Sequence, residues 1–153
     1  HELTHASQLR RMGSEKGYYW ASDLWSHVVL QEAKNDINTS SSYGSKGDDN
    51  WQVIALAEGW ANYREWNLAR RYLNYNIYGE DPDTHVPYYF DNYSSSLAIF
   101  YGGMFDRLAT AGCSFTNMEK SLCAYSIGAF RDNLIAKHPN LRARITEIIQ
   151  PYE

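Results

Sequence analysis

The stretch WQVIALAEGWANYREWNLARRYL, residues 51–73, decides how this chain folds. It contains no proline and a single glycine, Gly59, and good helix formers fill most of the other positions. Trp51, Ile54, Ala55, Glu58, Ala61, Asn62 and Glu65 recur at helical spacing, which predicts a largely apolar face turned inward. Just ahead of it, Asp49-Asn50-Trp51-Gln52 resembles a capping box, with Asp in the Ser/Thr position and Gln closing it. A long helix to about Leu73 follows, and Glu58 lies on its inward face. The small Gly59 and Ala61 allow another helix to pack closely there.

Working outward, the same logic yields more helices. His1 to Met12 fits a helix, stopped by Gly13. Ser14 to Trp20 reads as a loop, and Ala21 to Asn35 as a helix with Trp25, Val28 and Val29 facing inward. Residues 38–47 are built from Ser and Gly and form the clearest loop. Residues 74–93, rich in Asp and Tyr with two prolines, form an irregular segment. Leu97 to Ala111 is helical and ends at Gly112, although Gly102 and Gly103 weaken its middle. Thr116-Asn117-Met118-Glu119 reads as a capping box opening a helix to about Lys137. Pro139 opens a last short helix to Ile149. With no repeats and little strand signal, the fold class is mainly α: one mostly helical domain over residues 1–153, with long irregular loops.

Composition narrows the function. The chain has 153 residues, 44% of them hydrophobic and 21% charged, which suits one globular domain. Lys and Arg number 14 against 18 Asp and Glu, for a net charge of −4. A dedicated nucleic-acid or membrane-surface module usually carries basic excess, so those classes are disfavoured. No apolar run approaches the ~18 residues needed to cross a bilayer, and no signal peptide stands at the start. Cys113 and Cys123 are too few for a disulfide scaffold and lack metal-ligand spacing. A bridge between them stays open, with two buried thiols the favoured state.

The first five residues, His1-Glu2-Leu3-Thr4-His5, carry the chemistry. On a helix, a spacing of four puts both imidazoles on one face, about one turn apart. Two such nitrogens can bind one Zn2+ at ~2.0–2.1 Å. Glu2 flanks the metal and is placed to take a proton from the water it activates. With 5 His and 9 Glu in the chain, about 0.01 such matches arise by chance. A third protein ligand is then required. Asp23, Glu15 and Glu32 are available acids, but Glu58 is the strongest candidate. A carboxylate on an apolar face must be paired or bind a metal. Its other possible partner is an arginine such as Arg131.

His1-Glu2-x-x-His5 with a downstream helical Glu58 resembles the gluzincin group of zinc metallopeptidases. The long gap to Glu58 is nearer to the neprilysin style than to thermolysin, whose spacing would put a Glu near position 25, where Trp25 stands. A metzincin continuation fails, because Gln8 and Arg11 stand where Gly and His would be needed. The resemblance rests on two short motifs. It implies a zincin-like C-terminal helical subdomain, a Zn2+ cofactor held by His1, His5 and Glu58, Glu2 as general base, and a peptide or protein substrate. It further implies an Asp four residues after the ligand Glu, hydrogen-bonded to a zinc-bound His. Asn62 stands there instead, and its amide oxygen can still accept an imidazole N–H. Such enzymes also use a Tyr or His to stabilise the oxyanion. His27 and Tyr63 are the candidates carried forward, beside His85 and Arg131. The Tyr-rich 72–93 segment offers lining for a peptide cleft.

A chain that opens on its own first ligand reads as the C-terminal part of a larger peptidase, with upstream chain as a further partner. Substrate is usually held along an upstream edge strand in this group, so weak or no proteolysis is expected of these residues alone. The alternative is a non-catalytic helical domain that keeps a zincin-like scaffold. A copper oxidase using an N-terminal His is disfavoured, because such enzymes are generally β-sandwiches. The resemblance suggests bacterial export, while the sequence itself leaves the cellular address open.

Overall fold

A computed structural model describes residues 2–12, 22, 51–73 and 101–153 of the chain. All regular structure in them is helical, as the mainly α class requires. Helix α1 is Glu2–Met12, α2 is Trp51–Leu68, continued by a π-helical turn over Ala69–Leu73, and α3 is Gly102–Thr110. Then come α4, Phe115–Ser121, α5, Ile127–Lys137, and α6, Arg142–Ile149. Short 3-10 turns over Pro139–Leu141 and Gln150–Tyr152 flank α6. Residue 22 apart, the Ala21–Asn35 helix lies outside the described residues, as do the loops at 38–47 and 74–93, the stop at Gly13 and the cap at Asp49.

Helix α2 is the axis of the fold. Every residue from Val53 to Tyr63 is buried, so the one-sided stripe expected from the sequence is in fact a helix enclosed all round. Helices α1, α3 and α5 pack against it, while α6 joins α3 to α5 and α4 lies against α5 and α1. The tightest approach is at Gly59. A Cβ there would sit 2.8 Å from the Cβ of Tyr101 and 3.1 Å from its carbonyl carbon, so only glycine lets the start of α3 come this close. Past Tyr63 the enclosure loosens, and Leu68, Tyr72 and Leu73 are exposed.

Aromatic rings fill the space between these helices. Trp60 meets Phe105 edge-on at 5.2 Å, Tyr63 stacks on Phe115 at 5.7 Å, and Phe105 meets Phe130 edge-on at 5.6 Å. Tyr101 meets Tyr152 at 5.0 Å, bringing the last 3-10 turn onto the core. Offset and edge-to-face pairs of this kind add ~0.5–1.5 kcal/mol each beyond their buried area. Burial holds both tyrosine hydroxyls neutral: Tyr63 is pushed well above its ordinary value, and Tyr101 is pushed up to about 12.

The helix ends correct two sequence expectations. The single helix expected from Thr116 to about Lys137 is two helices, parted at residues 122–126. The cap of the first is Ser114, whose hydroxyl accepts from the Asn117 N–H, and Thr116 lies inside α4. The second helix can start because its early N–H groups have side-chain acceptors. Ser126 Oγ takes the Ala129 N–H at 3.0 Å, and Gln52 Oε1 takes the Ile127 N–H at 2.9 Å. Gln52, expected to close a box at the head of α2, thus reaches across to α5. Gly112 does stop α3 as expected. It sits at φ +99°, with its N–H on the Ala109 carbonyl and the Cys113 N–H on that of Leu108, the Schellman arrangement.

Two outcomes follow from this packing. Gly59→Ala should cost roughly 1–3 kcal/mol by urea denaturation, since the clash is with backbone and Cβ and not with a yielding side-chain tip. Tyr101 has a folded-state pKa raised above the ordinary 10.0, so its contribution is intact below pH 10 and is lost as pH rises towards 12. Stability followed over that window should fall less steeply in Tyr101→Phe than in the wild type.

Candidate metal centre

Helix α1 turns an unusual face towards its neighbours. Thr4 and Gln8 are buried and His5 and Ser7 half-buried, whereas Leu3 is 86% exposed. Positions 4, 5 and 8 share one side of a helix, so among the described side chains the inward side of α1 is polar. Polar groups placed between helices are costly unless they find partners. Ser7 Oγ donates to Glu119 Oε1 at 3.0 Å, tying α1 to α4. Glu119, expected to complete a capping box, serves as this tether.

His5 and Glu58 come together across the α1–α2 contact. His5 Nε2 lies 3.5 Å from Glu58 Oε1. Charge-assisted hydrogen bonds run at ~2.7–2.9 Å, so this separation is long for a direct bond. It matches the edge of a tetrahedral site: two ligand atoms ~2.1 Å from one zinc stand about 3.4 Å apart. The other ring nitrogen, His5 Nδ1, is 3.1 Å from Gln8 Oε1. The donor set is thus a buried carboxylate and an imidazole held from behind. This observation fits a zinc site.

The remaining candidates are distributed unevenly. His1, the side chain of Glu2, His27, His85, Glu15, Asp23 and Glu32 lie outside what is described, and among the described residues no three His, Cys, Asp or Glu gather as a metal group. Asn62 Nδ2 donates to the Glu58 carbonyl at 2.9 Å, one turn back, which anchors the amide by its nitrogen end. Its oxygen is the end that suits the expected acceptor role. Tyr63, 1% exposed, sits in the ring cluster with Trp60, Phe105 and Phe115, roughly 140° round α2 from Glu58. That is a packing position. Arg131 is spoken for elsewhere: its guanidinium donates to Glu153 at 2.6 Å and to Asp132 at 3.0 Å. Arg131, the example considered as an alternative partner for Glu58, is thus engaged elsewhere, and His5 lies beside Glu58. His138 ends α5, and its Nε2 lies 3.0 Å from Asn117 Nδ2.

Sequence reasoning passed over Gln8, noting it only as a residue that excludes a metzincin. Its signal was available, since a residue three positions after a helical His shares its face. Cys113 and Cys123 are both free thiols, the first buried and the second half-buried, and burial pushes Cys113 up. None of the described helices is long and apolar enough to cross a membrane. Compared with known proteins, the chain matches no family model, no curated protein and no solved structure.

Double-mutant cycles check the pairing. His5→Ala and Glu58→Ala should couple by at least about 0.5 kcal/mol in urea denaturation, whereas Arg131→Ala and Glu58→Ala should add within about 0.3–0.5 kcal/mol.

Proposed function

We propose that this protein is a zinc-dependent peptidase in which His1, His5 and Glu58 hold the metal and Glu2 is the general base. The observation that carries the reading is the 3.5 Å separation of His5 Nε2 and Glu58 Oε1, in a chain whose first five residues are H-E-x-x-H. The substrate is a peptide or protein.

When bound, Zn2+ supplies a water of lowered pKa and polarises the carbonyl under attack. The chain's own residues do the rest. Glu58 brings a negative charge to a buried position, where it offsets the cation and is itself relieved of the cost of burial. His5 contributes a neutral imidazole, and Asn62 stands one helical turn from Glu58 to orient a ligand ring. Glu2, next to the first ligand, takes the proton of the attacking water and passes it to the leaving amine.

Metal analysis of protein purified without chelator tests this. The wild type, with zinc added, should hold close to one zinc per chain, and His5→Ala and Glu58→Ala should each lose it. Glu2→Gln should keep the metal while losing any peptide hydrolysis. A wild type without near-stoichiometric zinc would sink the proposal. It would favour the second reading, a non-catalytic helical domain in which His5 and Glu58 form a structural ion pair at the observed separation.

A further inference from the structure

We propose that Gln8 is a positioning residue that fixes the tautomer of His5. Gln8 is 1% exposed, and its amide oxygen lies 3.1 Å from His5 Nδ1. An amide oxygen only accepts, so the proton of the neutral imidazole sits on Nδ1. Nε2 then carries a lone pair and faces Glu58 Oε1 at 3.5 Å. A lone pair and a carboxylate oxygen turned towards one another repel unless a cation lies near both, and this arrangement offers both to one metal. Gln8 thus does for His5 what a carbonyl or carboxylate does behind a metal-bound imidazole, without adding a charge to a buried interface.

A second observation bears on the same side chain. Gln8 Nε2 is buried and has no hydrogen-bond partner among the described residues. Leaving an amide N–H2 in that state is unfavourable, and the buried glutamine adds no apolar packing that leucine would not supply at least as well. Its value lies in the oxygen. Turning the amide over would place its nitrogen on Nδ1, move the ring proton to Nε2 and point an N–H at Glu58, a geometry that blocks metal binding. The two orientations therefore make opposite statements about one atom, and that atom can be observed.

The consequence for metal binding rests on the zinc reading; the tautomer does not. The experiment is two-dimensional imidazole 15N–1H NMR on the metal-free 153-residue chain at about pH 8.5, where an ordinary imidazole is neutral. The His5 signals are identified by their loss in His5→Ala. The wild type is expected to show the Nδ1–H form of His5. Gln8→Leu is expected to shift it to the Nε2–H form that an unconstrained imidazole prefers, with far-UV circular dichroism unchanged. Zinc affinity, measured by chelator competition, should fall about 10–100-fold in Gln8→Leu. Gln8→Glu, which can only accept from Nδ1, should retain both the tautomer and the affinity. An Nε2–H form in the wild type overturns the inference, as does a zinc affinity untouched in Gln8→Leu. Failure of the wild type to bind zinc overturns the peptidase reading instead and leaves the tautomer measurement to decide the role of Gln8.

Discussion

Enclosure of α2 on every side is the constraint from which the rest of the structure follows. A helix with buried residues running unbroken from Val53 to Tyr63 has no polar side on which to place a charge. Its neighbours must also come in close, and Gly59 against Tyr101 marks how close. In such a setting Glu58 has to be answered by another group. The answer comes from α1, whose described inward side chains are Thr4, His5 and Gln8, where a purely structural helix would present apolar ones. The aromatic cluster and the polar contact are therefore two sides of one helix: Tyr63 faces the rings and Glu58 faces the imidazole.

Local chemistry made much of this legible beforehand. The helical character of α1 and α2, the stop at Gly112, the turn at Pro139 and the close packing at Gly59 are each dictated by residues within a few positions of the feature. Burial of Glu58 was likewise visible, because its neighbours in the helix are apolar or small. What escaped were arrangements that depend on distant residues. Nothing near Ser126 announces a helix start as strongly as the spacing of Thr116 and Glu119 announces one earlier. The break there is supported by Gln52, 75 positions away in sequence. Glu119, taken for a cap by its spacing, is used by Ser7.

The same distinction applies to the site. H-E-x-x-H is a local pattern with a mechanical meaning, and its second histidine does meet the acid chosen for it. Tyr63 shows the opposite case. A tyrosine near Glu58 in sequence has the chemistry of an oxyanion donor, but helical geometry turns it to the far side, where its ring matters more than its hydroxyl. Arg131 shows how a charge is claimed by the nearest partners: Asp132 follows it directly, and Glu153 reaches it from just past the last 3-10 turn.

The hydrogen bond from the Ile127 N–H to Gln52 Oε1 has a mechanical effect on Glu58, six residues further along α2. It clamps the first turn of α2 to the head of α5 and so resists rotation of the helix about its own axis. A carboxylate held roughly 6 Å from that axis moves about 1 Å for each 10° of such rotation. Displacements of that size are enough to change the 3.5 Å separation between Glu58 and His5. A bond between two helix ends thus helps to hold the azimuth of Glu58.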